Sequence, residues 1–410
     1  MKVEETMTDQ LFTLGVNYWP RRKAMFWWSD FDAGEVKEEF AIIKEVGMNL
    51  VRIFLLWEDW QPTPDMVSAQ ALTHFETVCQ AAADLGLSLD VTFFTGHMSG
   101  PSWTPPWMLY RDQPMPVGVR QVVSQGQIVD CGYANPYTDP TVIAASELLL
   151  KTVVTRFKDH PAIGLWNLGN EPDLFARPPD AATGKAWVRG MTRLIRELDP
   201  LHPITCGLHL PSLTEDNGFR IHDVFGEVDV PVIHGYPMYT DWAKGPLDSD
   251  FVPFLCALVT ALCGKPTLME EFGGCTEAPG KPSSIWQWTA YGQPREQFMA
   301  SEEDFAAYIA EVLPKLVEVG ALGAMLWCYA DYMPELYDRP PCLEARHERF
   351  FGLVRPDGSL KPHAEVIKRF AAAQPKVQPA RRAVTLDISP EVYYQDPLAH
   401  ATRLYQAFLP

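Results

Sequence analysis

The feature that most narrows the fold of this chain is an alternation. Short, nearly unbroken apolar runs are followed by longer amphipathic segments, eight times in series. The runs are "FTLGVNYW" (12–19), "LVRIFLLW" (50–57), "LSLDVTFFTG" (87–96), "AIGLWNLGN" (162–170), "PITCGLHL" (203–210), "VDVPVIHGY" (228–236), "PTLMEEFGG" (266–274) and "ALGAMLWCY" (321–329). Helix-period segments follow at 33–47, 69–86, 141–160, 181–199, 249–264, 302–319 and 362–373, with only a weak, short one after the fifth run. Parallel strands need crossover connections, and strands covered on both faces lose their polar alternation. Eight such units predict an α/β protein, a (β/α)8 TIM barrel over residues 1–374. Residues 375–410 form a C-terminal extension, and its last helix packs on the barrel or on a partner subunit of a homo-oligomer. An open doubly wound sheet would want a glycine-rich turn after the first strand, where this chain has "NYWPRRKAMFWW".

Charge and cysteine usage bound the partners. The 410 residues carry 34 Lys+Arg against 52 Asp+Glu, a formal net charge of −18. Such a surface repels nucleic acid and anionic membranes, so a neutral small molecule is the better partner. The N-terminus is acidic where an export signal would be basic, and no run reaches the roughly 18 apolar residues of a membrane span. The eight cysteines are scattered, without CxxC pairs. They read as reduced thiols of a cytoplasmic protein.

In a barrel of this kind, reacting groups come from the C-terminal ends of the strands. The second run offers Arg52, the third ends at His97 and the fourth at Asn170 and Glu171. The sixth brings His234 and Tyr236, the seventh Glu270 and Glu271, the eighth Trp327. An inert barrel has no reason to assemble this polar rim. Taken alone, Asn-Glu-Pro at 170–172 could equally be a strand stopped at a turn, since Pro cannot continue a ladder.

In order and strand position the set resembles the clan A retaining glycoside hydrolases, most closely glycoside hydrolase family 5. Arg52, His97, "NEP" (170–172), "HGY" (234–236), "EFG" (271–273) and Trp327 carry the resemblance, which spans about residues 12–373. "GVNYWPRR", "FLLWEDWQP" and "FFTGHMSG" are similar to the family's bacterial β-mannosidase-type members. The resemblance implies Glu171 as general acid/base and Glu271 as nucleophile. Arg52, His97, Asn170, His234, Tyr236 and Trp327 then surround the substrate.

Retention needs two carboxyls about 5–5.5 Å apart. Arg52 beneath Glu271 is expected to keep it ionised, and that charge to hold the Glu171 proton to higher pH. Adjacent strand residues face opposite ways, so Glu270 is expected to point toward the helix layer in a structural ion pair. No HExxH motif is present, and neither metal nor cofactor is expected. The long connections 97–140 and 275–300 are long enough to close one end of the cleft. With no export signal, this predicts exo action on small oligosaccharides, and the resemblance implies that the enzyme is a β-mannosidase. The alternatives are an endo-acting β-mannanase or β-glucanase, a β-glucosidase of the same family, and a catalytically inactive carbohydrate-binding barrel.

Overall fold

The computed structural model describes residues 10–113 and 121–410. The N-terminal stretch 1–9, read above for an export signal, and residues 114–120 of the third connection lie outside the described residues. The eight parallel strands are β1 (Thr13–Asn17), β2 (Leu50–Leu56), β3 (Ser88–Thr95), β4 (Ile163–Asn170), β5 (Ile204–Gly207), β6 (Val232–His234), β7 (Leu268–Gly273) and β8 (Gly323–Trp327). They form one sheet in the order β5-β4-β3-β2-β1-β8-β7-β6. The seam between β5 and β6 is closed by a parallel bridge between His209 and His234. There the His234 N–H donates to Leu208 O at 2.9 Å and the Leu210 N–H to His234 O at 3.1 Å. The fold is therefore the closed (β/α)8 barrel that the eight units predict.

The outer helices are α1 (Ala33–Glu45), α2 (Ala69–Asp84), α3 (Pro140–Phe157), α4 (Ala181–Leu198), α5 (Ile221–Phe225), α6 (Phe251–Cys263), α7 (Glu302–Glu318) and α8 (Pro362–Ala372). Their starts are written in the sequence. Asp32, Asp139 and Asp180 each accept first-turn backbone N–H groups of α1, α3 and α4, satisfying donors that the helix itself leaves free. β2 is buried at every position, as a strand between barrel interior and helix layer must be. β6 is shorter than its apolar run, because Pro231 precedes it and Pro237 follows, and neither can donate to a ladder.

The helix α6 is apolar nearly all round, which a surface helix cannot sustain in water. Its outer face is covered by the last helix, α9 (Pro397–Phe408). Tyr405 and Phe408 set their rings 4.9 and 5.5 Å from Phe254. Upstream in the same extension, the Tyr393 and Tyr394 hydroxyls donate to Leu213 O and Ser212 O, each at 2.6 Å. The extension thus grips the turn that follows β5.

The connection after β7 holds a β-hairpin that the sequence reading treats as loop. Ser284–Ala290 pairs antiparallel with Gln293–Met299. It turns at Tyr291 and Gly292, with φ of 50° and 72°. Two successive positive φ values are what a two-residue hairpin turn requires.

Candidate active site

Strand β4 delivers the first carboxylate. The Glu171 N–H still donates to Gly207 O at 2.9 Å, extending the ladder one residue past the strand. Glu171 then turns left-handed, φ 44° and ψ 60°, a conformation strained for a residue with a Cβ. Pro172 follows at the first position of a short helical turn, Pro172–Phe175, where its fixed φ fits and its missing N–H is not needed. Asn-Glu-Pro is therefore a strand stop, and the same stop throws the Glu171 carboxyl over the barrel mouth.

Beneath it lies a buried charge network centred on Arg52, which has no exposed surface. The Arg52 Nη1 donates to Glu271 Oε1 at 2.5 Å, and Nη2 lies 3.3 Å from Glu270 Oε2. Thr92 accepts from Nε at 2.9 Å. The Tyr236 hydroxyl donates to Glu271 Oε2 at 3.0 Å. The ion pair expected of Glu270 is present, but its direction is not the expected one. Both glutamates face the barrel interior. The register of β7 shifts against β8 between Met269 and Phe272, and against β6 between Ile233 and His234, which breaks the two-residue alternation. Glu270 ends up under Glu271, accepting hydrogen bonds from Asn167 Nδ2 (3.0 Å) and His234 Nε2 (2.8 Å).

Two histidines meet at Glu171. His234 Nδ1 is 3.1 Å from Glu171 Oε1 and 3.5 Å from Glu271 Oε1. His209 Nδ1 is 3.4 Å from the same Glu171 oxygen, and its Nε2 is 2.8 Å from Asp173. Burial alone would pull both imidazoles down. The charges of Asp173 and Glu171 instead carry His209 up to about 10, and Glu271, with hydrogen bonds to Glu171 and Glu270, carries His234 up to about 9. Burial would also raise Glu171, but the two imidazoles hold it well below the ordinary carboxylate value. Glu271 sits above that value, pushed by burial and by the charge of Glu171 against the pull of His234, Arg52 and Tyr236. Both carboxyls thus titrate in the sense opposite to the sequence expectation. For Glu271 the cause is burial together with the charge of Glu171, and for Glu171 it is the histidine pair, of which His209 was no part of the expected rim. Its signal was a His at the end of the fifth apolar run, paired with the Asp that follows Asn-Glu-Pro.

Glu171, His234 and Glu271 each place one oxygen or nitrogen within 4.8 Å of the other two. His97 stands apart from that group, and its carbonyl accepts from Asn170 Nδ2 at 3.2 Å. The Asn170 Oδ1 is buried without a hydrogen-bond partner. Trp327 is 5% exposed and packs edge-on against Phe54, 6.0 Å between ring centroids. His97, Asn170, Glu171, His209, His234, Tyr236, Glu271 and Trp327 line one cleft of about 520 Å³, in the range of small-molecule sites. Arg52 lies below its floor. Trp288 joins Trp327 in the lining, whereas Trp27, Trp28, Trp57, Trp60 and Trp103 are buried packing.

The hairpin walls this cleft. The Trp288 indole N–H donates to Glu344 O at 2.8 Å, and the Tyr291 N–H to the Glu344 carboxylate at 2.7 Å. These bonds tie the connection after β7 to the one after β8, so that Trp288, Tyr291, Arg295 and Glu348 stand around the carboxylate pair.

A closed barrel with two facing glutamates over an Arg-Tyr base defines the class, the clan A glycosidases. Within it, the family model described as glycosyl hydrolases family 2, TIM barrel domain, matches residues 117–373, and the chain belongs to that family of barrels. Mannan endo-1,4-beta-mannosidase F of Aspergillus clavatus is 30% identical over 169 residues, covering 38% of this chain and 37% of that one. Mannan endo-1,4-beta-mannosidase A of Aspergillus aculeatus is 28% identical over 170 residues, covering 38% and 43%. The matches thus span less than half the length of these curated relatives. Among solved structures, an exo-beta-1,4-mannosidase from Opitutaceae bacterium strain TAV5 aligns with a TM-score of 0.70 at 25% identity, over 88% of this chain and 59% of that one. GH5_18 from Streptomyces cattleya, in complex with GlcNAc, aligns with a TM-score of 0.78 at 19% identity, over 97% and 90%. These relatives and neighbours agree with the family 5 resemblance seen in the residues. No helix among the described residues is long and apolar enough to cross a membrane.

Proposed function

We propose that this protein is a retaining, exo-acting β-mannosidase of the family 5 type. One observation carries the reading. Oxygens of Glu171 and Glu271 face each other within 4.8 Å across the barrel mouth, close to the roughly 5–5.5 Å that double displacement uses. Glu271, aligned by Arg52 and Tyr236, attacks the anomeric carbon. Glu171 protonates the leaving oxygen and then takes the proton of the incoming water. The free Asn170 carbonyl is available to a sugar hydroxyl, His97 and His234 help position the sugar and the glutamates, and Trp327 offers an apolar face to the sugar ring.

The hairpin supports exo action, because a cleft walled beside the reacting carboxyls admits a chain end better than a chain middle. The names of the relatives and of the Opitutaceae structure support a mannoside. All eight cysteines are free thiols, which fits a reducing, cytoplasmic setting. The test is mannohexaose labelled at its reducing end. The first labelled product is the pentamer, with free mannose rising in step, and para-nitrophenyl β-mannoside is cleaved faster than the β-glucoside. Labelled dimers and trimers appearing first would mean an endo-enzyme like the named relatives.

A further inference from the structure

Two groups beside the carboxylate pair, Asp173 and His209, have no part in the reaction as described above. Asp173 is buried, and its side chain has no exposed surface. One of its oxygens is 2.8 Å from His209 Nε2, and the other has no hydrogen-bond partner. A carboxylate sealed away with a single partner requires that partner to carry compensating charge. The Nε2–H of His209 is fixed on Asp173 by this contact. A second proton on the ring can then sit only at Nδ1, and Nδ1 is 3.4 Å from Glu171 Oε1. The turn that carries His209 is pinned from outside by Tyr393 and Tyr394, and from inside by the bridge to His234.

From this juxtaposition, resting on the hydrolase reading above, we propose that the Asp173–His209 pair is a proton store for Glu171, which makes His209 a positioning residue for the acid/base. In the resting site the proton sits on His209 Nδ1, facing Glu171 Oε1 at 3.4 Å. When Glu271 attacks and the bond to the leaving oxygen breaks, the proton passes from Nδ1 to the Glu171 carboxyl and on to that oxygen. Glu171 is left ionised and His209 neutral. In the second step the water oxygen bonds to the anomeric carbon as the glycosyl–Glu271 bond breaks, and the proton that water loses to Glu171 returns to Nδ1.

The other charged groups around the pair constrain its titration. His234 touches Glu171 from β6, with Glu270 behind it. Glu271 and its partner Arg52 face Glu171 from β7 and β2, and Tyr236 and Glu348 feel its charge from the connections after β6 and β8. His234 can hold a proton to about 9 and His209 to about 10. A proton needed for glycosylation is therefore lost last from His209, and the basic limb of kcat/KM lies high. Without His209 that limb must move toward lower pH.

The experiment compares wild type, His209→Gln and Asp173→Asn. On an aryl glycoside with a poor leaving group, His209→Gln moves the basic limb down by about one pH unit or more, and Asp173→Asn moves it the same way by less. With a dinitrophenyl glycoside, which leaves unprotonated, the limb does not move. Nitrogen-15 NMR of the histidine rings, assigned through His209→Gln, reads the proton directly. His209 is protonated on both nitrogens at pH 8. Equal limbs in an active, folded His209→Gln variant, or a neutral His209 at pH 8, overturn the proposal. An inactive wild type with a doubly protonated His209 supports the proton store and overturns the hydrolase reading instead.

Discussion

Glu270 and Glu271 are neighbours in sequence, both buried and both within reach of Arg52, so exchanging each for Gln separates their roles. Glu270 accepts from Asn167 Nδ2 at 3.0 Å and His234 Nε2 at 2.8 Å, with Arg52 Nη2 at 3.3 Å. In Glu270→Gln the retained oxygen can stay on Asn167. The new NH2 then meets two donors, His234 Nε2 and the Arg52 guanidinium. Removing one partner of a buried pair costs about 3–5 kcal/mol when the other is stranded. Arg52 keeps Glu271 at 2.5 Å, so the lower end, about 3 kcal/mol, applies. With an unfolding entropy of about 2.1 cal/mol/K per residue, that lowers Tm by roughly 3–4 °C for a chain of this length. Turnover should fall by no more than about 100-fold, the scale of a slightly misplaced reacting group. Glu271→Gln removes the nucleophile itself and should lose roughly 10⁴-fold or more. Melting curves and aryl-mannoside turnover on both variants give the answer. An active Glu271→Gln beside a folded, inactive Glu270→Gln would refute the reasoning.

Glu171→Ala should be crippled on poor leaving groups yet still be glycosylated by a dinitrophenyl glycoside, and azide should then restore turnover as β-glycosyl azide; uniform loss without azide rescue removes the acid/base role. Tyr405→Ala takes a buried ring off Trp242, Phe251 and Phe254, and should cost about 3–5 kcal/mol of stability. Calorimetry should show the lower Tm with room-temperature turnover unchanged, and an unchanged Tm would mean that the extension does not hold α6. Replacing 285–298 by a short glycine link opens the wall tied to Glu344, so internal cleavage products should appear from mannohexaose; a product pattern identical to wild type would place the cleft's closed end elsewhere.

The barrel was legible because eight buried strands leave an apolar run that needs no partner to be recognised. The rim was legible for the same reason, since polar residues at the ends of such runs stand out. Three things were not. The inward turn of Glu270 depends on register shifts between β7 and its two neighbours, and strand alternation alone predicts the opposite face. The hairpin uses Tyr-Gly at its turn, with Pro294 in its second strand, where Asn-Gly and no Pro would have announced it. His209 acquires its meaning only from two carboxylates, Glu171 and Asp173, which belong to the preceding unit. The apolar face of α6 shows the converse. The sequence shows a helix over 249–264 but not what covers it, and its cover comes from the far end of the chain.

The central claim is that Glu271 forms a covalent bond to the sugar while Glu171 handles the proton. A dinitrophenyl 2-deoxy-2-fluoro-β-mannoside tests it most directly, because its leaving group departs unaided and the fluorine slows release of the intermediate. After incubation and proteolysis, mass spectrometry should find one fluoromannosyl group, on the peptide containing "MEEFGG", with fragmentation placing it on Glu271. An adduct on Glu270 or on Glu171, or full turnover of the reagent with no adduct at any time, would contradict the account.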